Sequence, residues 1–230
     1  MHRDMACDCY LLEPAQVTKA IRYLGKNGFV FPEFYGSYYK QVAPAMWRAA
    51  ERLELEEGPM GTPLMEHLLQ KFGGYPAFED HIREVEHDFW YRRFPVYRKW
   101  RERWWIEYQR RGYFDTLTGF RCGGTVLGRN QSINYPVQGS AFHCLLWSLI
   151  QLDRWITDEG LDSRIVGQIH DSILQDMVPV EVPAYLAEAR MIMRDDIRER
   201  WPWITLPLDI ETEAAPVDGS WYEKKPYEEE

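Results

Sequence analysis

The sequence predicts an α+β protein, mostly helical through its first half and carrying antiparallel hairpins in its second. Residues 14–31, 38–55 and 78–111 read as helices, with apolar residues returning at helical spacing. Residues 164–178, RIVGQIHDSILQDMV, instead join two runs of β-branched and large apolar residues through His170, Asp171 and Ser172, the composition of a hairpin. A strongly apolar helix over residues 137–156 precedes that hairpin.

Composition bounds the possibilities. A chain of 230 residues buries a real core and allows one or two domains. Its 45% hydrophobic and 27% charged content is ordinary, whereas 15% aromatic residues with ten Trp is high. No apolar run reaches the roughly 20 residues of a membrane span, and the opening MHRDMACDC is not a basic region followed by an apolar one. The expectation is a cytoplasmic protein without a membrane partner. Cys7, Cys9, Cys122 and Cys144 are too unevenly spaced for a zinc ribbon or a CxxC redox pair and read as free thiols. A net charge of -9 argues against bulk attraction to nucleic acid. The charge is nevertheless segregated. Arg92, Arg93, Arg98, Lys99, Arg101, Arg103, Arg110 and Arg111 face only Glu102 and Glu107, and the end of the chain closes on Glu228, Glu229 and Glu230. One face can therefore attract phosphate on an acidic molecule.

Pro14 suits the first turn of the helix over 14–31, and Ala20, Ile21, Leu24 and Phe29 give it an apolar face. Arg22 and Lys26, four residues apart, share another face. Gly25 and Gly28 weaken it, and Pro32 is expected to end or kink it, leaving Phe34, Tyr35 and Gly36 at its far end. Turn formers from Gly58 to Gly74 enclose a short helix over 64–72. The aromatic-rich pattern over 78–111 should kink at Pro95 and stop at Gly112. A hairpin over 113–122 turns around Leu117, Thr118 and Gly119. The helix over 137–156 offers Phe142, Leu145, Leu146, Leu149, Leu152 and Trp155 as core positions. A helix over 183–200 and a last strand over 206–212 complete the chain.

The His-Asp-Ser turn is where chemistry is expected. Polar groups between apolar strands are costly to bury unpaired, and an acid at a sheet edge is placed to hold a hard cation such as Mg2+.

These signals occur in an order that resembles the C-terminal part of family A DNA polymerases, the family of bacterial DNA polymerase I and many phage replicases. The family's fingers helix carries an Arg, a Lys four residues on and an aromatic-Gly pair, with a His twenty residues before the Arg. Arg22, Lys26, Tyr35-Gly36 and His2 match these. Its palm has Asn and Gln four apart ahead of a Gly, a helix, and a His-Asp-Glu hairpin, matched by Asn134, Gln138-Gly139 and His170-Asp171. The segment from Gly112 to Gly119 is similar to the family's hairpin after the long fingers helix. The FPEFYGSYY stretch is similar to phage replicases, which implies DNA replication, in a bacterial host's cytoplasm if phage-encoded.

The resemblance implies a fingers subdomain over 1–111 and the second part of the palm over 112–230, in a template-directed DNA polymerase that adds dNTPs to a primer by two-metal phosphoryl transfer. Phosphoryl transfer needs positioned cations around the triphosphate and metals at the reacting oxygens. His2, Arg22 and Lys26 would form the cationic rack. Tyr35 or Phe34 would stack on a base or hold the template; the Tyr-Gly pair favours Tyr35. Asn134 and Gln138, with Gln131 close by, would donate to minor-groove acceptors common to all base pairs, though Asn134 could equally be a helix N-cap. Arg121 and Arg129 would contact phosphate or primer, with Ser172 grouped among the DNA-contacting residues. His170 would brace the primer end and Asp171 would hold the metal.

Three departures qualify this carry-over. The interval from Lys26 to Tyr35 is one residue longer than in the family, and it contains Pro32. Ser172 stands where the family usually has Glu, and Asp176 on the returning strand is the other carboxylate at hand. The first catalytic Asp, the thumb and the first palm strands belong to motifs upstream of the His matched by His2. The expectation is therefore one subunit of a split polymerase, with Met1 a natural start, sharing two Mg2+ ions with an N-terminal partner chain on primer-template DNA. The alternative is a non-catalytic DNA-binding remnant.

Overall fold

Helix α1 (His2–Tyr10) opens the chain and buries Met5, Ala6, Cys9 and Tyr10. The helix expected over 14–31 begins later and runs further. Pro14 lies in a 3₁₀ turn, Pro14–Gln16. Thr18 then caps α2 (Lys19–Leu24), its Oγ1 accepting from the Ile21 N–H at 3.2 Å. The path continues through a π-turn, Gly25–Val30, into α3 (Phe31–Phe34). Pro32 does not end it. In the π-turn the Phe31 N–H bonds to the Lys26 carbonyl five residues back, and this wider turn relieves the clash that a proline ring makes with a regular α-helix.

Helix α4 (Tyr39–Glu51) packs against α6 (Tyr75–Asp88), with α5 (Leu64–Phe72) between them in sequence and Gly73 at φ 70° closing α5. The aromatic pattern over 78–111 is split: α6 passes into a second π-turn, Phe89–Arg93, and α7 (Pro95–Arg111) restarts with Pro95 in its first turn. Gly112 ends α7 at φ 74°. The structure, a computed structural model, describes residues 1–53, 61–124 and 126–227. The end of the helix expected over 38–55, the Gly58-Pro59 turn signal and the run Glu228–Glu230 lie outside them.

Strand β1 (Tyr113–Asp115) pairs with β2 (Arg121–Gly123). Helix α8 (Arg129–Asp158) follows, 30 residues long. It starts well before the expected residue 137 and takes Pro136 inside. The second hairpin is β3 (Arg164–Ile169) and β4 (Ser172–Asp176), antiparallel, with Ile169 opposite Ser172 and a register shift between Ile165 and Gly167. Helix α9 (Val182–Arg190), a third π-turn (Met191–Asp196) and α10 (Ile197–Arg200) fill the helix expected over 183–200. The strand expected over 206–212 is not formed. Pro207 has no N–H to offer, and pairing begins only at β5 (Glu213–Ala214), which meets β6 (Lys225–Pro226). Among the described residues the strands make three separate two-stranded sheets, and the architecture is α+β.

The chain divides into two compact units, Met1–Phe114 with Arg121–Pro136, and Asp115–Phe120 with Val137–Glu230. The first has a dense core in which Ile21, Phe29, Val30, Met46, Leu68, Phe78, Ile82 and Phe89 are fully buried. The second is centred on Leu152, Ile156, Tyr185, Leu186 and Ile192, with Ile165 and Ile173 of the hairpin half-buried against them. Phe142 and Leu146, expected in the core, are exposed at 45% and 39% beside Ile150 at 40%. Helix α8 is apolar on more than one face; in the second unit its buried residues are Ser140, Ser148, Leu152 and Ile156, and the face of Phe142, Leu146 and Ile150 is left exposed. No described helix is long and apolar enough to cross a membrane.

Candidate functional site

Helix α1 brings His2 to the α2–α3 path. Its ring meets Phe31 edge-on at 5.9 Å, and Lys26 Nζ lies 5.0 Å from the same ring centroid. Burial first, then the charges of Lys26 and Arg22, hold the His2 imidazole below the usual histidine range. His2 Nδ1 is buried without a hydrogen-bond partner. Arg22 is exposed and Lys26 half-buried. The structure thus brings His2 and Lys26 to Phe31, which sequence reading passed over, with Arg22 near enough for its charge to act on His2. The signal was an aromatic five residues after Lys26, the spacing of a π-turn rather than an α-turn. That π-turn falls inside the interval one residue longer than the family's, and a turn closed five residues back holds the surplus residue without breaking the helix.

Phe34 and Tyr35 are separated cleanly. Phe34 is enclosed edge-on by Phe89, Trp90, Phe94 and Tyr97, with ring centroids 5.0 to 5.8 Å away. Tyr35 is exposed and touches Phe31 at 5.8 Å. The next residue, Gly36, has φ 96°, and a Cβ there would run into Asn130 Oδ1. Both the left-handed backbone and the close approach require glycine.

Within the first unit Arg121 stacks on Tyr113 at 4.3 Å, sharing the ring with Arg111 at 4.4 Å. Arg129, at the start of α8, is exposed; its charge, after burial, is the next cause of the lowered Arg101 pKa. Asn134 is inside α8, so it is not an N-cap, and its Oδ1 is buried with no partner. Gln138, which belongs to the second unit, is exposed.

In the second unit His170 and Asp171 form the two-residue turn between β3 and β4, His170 at φ 53° with its carbonyl accepting from Gln168 Nε2. His170, Asp171 and Ser172 are all exposed. Asp176 pairs across from Arg164 at the open end of the hairpin, about 17 Å along the strand from Asp171 at the ordinary rise per residue. It therefore cannot join Asp171 at one ion. The hairpin base is anchored by Ser163, 1% exposed: its Oγ donates to Glu181 at 2.5 Å and accepts from Val178 N–H at 2.9 Å. The loop Asp115–Phe120 is held on α8 by Leu117 N–H to Ser140 Oγ at 3.1 Å and by Thr118 to His143 Nδ1 at 2.7 Å. Among the described residues no group of three or more His, Cys, Asp or Glu converges as a metal site. Among those residues the side chains do not by themselves bring together a donor set for Mg2+.

Residues 83–223 match the family model described as DNA polymerase family A. DNA polymerase I of Chloroflexus aurantiacus is 23% identical over 98% of this chain and 21% of its own length. The DNA polymerase of Bacillus phage SP01 is 38% identical over 28% of this chain and 7% of its own. Among solved structures, the polymerase domain of Pol1 from M. smegmatis, in complex with DNA primer-template and dNTP, superposes with TM-score 0.56 at 21% identity, covering 90% of this chain and 32% of that one. The chain therefore spans about a fifth of the length of the first of these relatives.

Proposed function

The chain belongs to DNA polymerase family A, and from that premise we propose that it supplies the fingers and the later part of the palm of a template-directed DNA polymerase acting on primer-template DNA and dNTPs. The observation that carries this reading is the meeting of His2 and Lys26 at Phe31, with the charge of Arg22 acting on His2, on the same helical path as the exposed Tyr35. A cationic cluster with one exposed aromatic suits a triphosphate and a base; a protein that only held DNA would not need the former. Tyr35 takes the stacking role, because Phe34 is committed to the core. Asn134 and Gln138 face minor-groove acceptors, Arg121 and Arg129 contact phosphate or primer, Ser172 touches DNA, and His170 braces the primer end.

Asp171 is the metal-holding carboxylate of this chain. Bound Mg2+ would supply charge neutralisation at the phosphates. Among the described residues no second acid stands beside Asp171; the ions are shared with an N-terminal polymerase portion that carries the first catalytic Asp, the thumb and the first palm strands. That makes the chain one part of a split replicative polymerase, active in the cytoplasm of a bacterial host. The exposed Ser172 at the hairpin turn favours a second reading, a non-catalytic DNA-binding remnant.

Primer extension with labelled dNTPs separates the two. The chain combined with the N-terminal portion from the same genome is expected to extend a primer, and neither part alone. Extension by the chain alone overturns the split arrangement. Primer-template binding without extension by the combined parts establishes the remnant.

A further inference from the structure

Among the described residues Glu33 is the only acidic or basic side chain that is fully buried, at 0% exposure. It stands on α3, two residues before Tyr35. Trp90 Nε1 donates to its Oε2 at 2.8 Å, and its Oε1 is buried with no partner. Its main-chain carbonyl accepts twice, from the Gly36 N–H at 3.1 Å and from Arg101 Nη1 at 3.3 Å. The Arg101 guanidinium lies 3.8 Å above the Trp90 ring. Arg101 thus clamps Trp90 and the Glu33 backbone without making a hydrogen bond to the carboxyl. On the far side of the turn the Tyr39 N–H donates to Glu86 at 2.6 Å. Two carboxyl groups therefore bracket the four residues from Tyr35 to Tyr38.

The titratable and charged groups around Glu33 are Glu86 of α6, Arg101 of α7 and the Cys9 thiol of α1. A buried carboxylate with a free oxygen, a second acid nearby and no direct ion pair is costly to ionise. Burial first, then the charge of Glu86, pushes the Glu33 pKa up to about 8.

We propose that the Glu33 carboxyl is a positioning group for the Tyr35–Gly36 turn, acting as the neutral acid through Trp90 and Arg101. It does not touch nucleotide; it fixes where the exposed Tyr35 stands. Ionisation places a charge in the core of the first unit, so the segment carrying Tyr35 loosens as pH rises past the Glu33 pKa. The functional consequence rests on Tyr35 being the base-facing aromatic.

The test uses the full chain labelled with 15N. The Trp90 indole N–H, assigned with Trp90→Phe, and the Gly36 amide N–H are followed from about pH 6 to about pH 9.5. Both signals are expected to inflect together near pH 8, and neither in Glu33→Gln, which keeps an acceptor for Trp90 and cannot ionise. A Gly36 signal that stays flat while Trp90 inflects overturns the positioning role, as does an inflection that survives in Glu33→Gln. In the combined polymerase the KM for dNTP should rise at least about threefold across the same range, more than kcat changes, and Glu33→Gln should abolish the rise. Absence of any incorporation by the unsubstituted protein counts against the polymerase reading, and the two N–H signals still decide the role of Glu33.

Discussion

The helical path from Lys19 to Phe34 and the hairpin from Arg164 to Asp176 carry the two halves of the proposed chemistry, and they are held in different ways. Along the path Ile21, Phe29 and Val30 are 0% exposed in a core shared with Met46, Leu68 and Phe89, each burial stabilising by about 1.5–3 kcal/mol. The hairpin has no fully buried residue. Val166 and Ile169 are 67% and 53% exposed, and among the described residues its strands pair only with each other. A lone two-stranded hairpin is marginal in water; this one leans on Ile165, Ile173 and the Ser163 anchor. The contrast teaches that the helical path is set by the core of its own unit, whereas the hairpin tip bearing Asp171 stands on strands whose outer edges are open among the described residues.

The largest expected effect comes from Asp171→Ala. Incorporation by the combined polymerase should fall about 10³-fold, the several kcal/mol that a metal-held transition state is worth. Primer-template affinity and the thermal midpoint of the chain should hardly move, because the side chain is exposed. Activity that survives would place the catalytic carboxylate elsewhere. Phe29→Ala acts on the other half of the comparison. It removes a fully buried ring that meets Phe89 edge-on at 5.4 Å, and should destabilise the first unit by about 3–5 kcal/mol in urea unfolding followed by Trp fluorescence. A loss below about 1 kcal/mol would mean that the core does not hold the helix.

Much of this was legible in the sequence. Helical and alternating periods marked the helices and the hairpin over 164–178, Gly112 ended α7, and the spacing of Arg22 and Lys26 put both on one helical path. What failed were local rules overridden by context. Pro32 reads as a stop, but the π-turn before it absorbs both the ring and the surplus residue. The N-cap offered as the alternative for Asn134 falls away, because α8 starts at Arg129. Phe142 and Leu146 read as core because periodicity records which residues are apolar and not what covers them. The split between Phe34 and Tyr35 needed the aromatic enclosure from α6 and α7, which no local pattern contains. Nothing local marks Glu33 either: its hydrogen-bond partners Trp90 and Arg101 lie more than fifty positions away.

The smallest effect is the most discriminating. Ser163→Ala removes a hydroxyl that both donates to Glu181 and accepts from the Val178 N–H. Glu181 keeps the backbone N–H groups of Asp162 and Ser163, at 3.0 and 2.9 Å, so the turn does not come apart. The Val178 N–H is left without its acceptor, a cost of about 1–3 kcal/mol. If the hairpin opens as a separate element, that cost appears as faster amide exchange across β3 and β4, about 5-fold to 150-fold, with the amides of α2 and α4 unchanged. Equal acceleration in both units would show that the hairpin and the helical path open together, and the contrast between a helix held in a dense core and a lightly packed hairpin would fail.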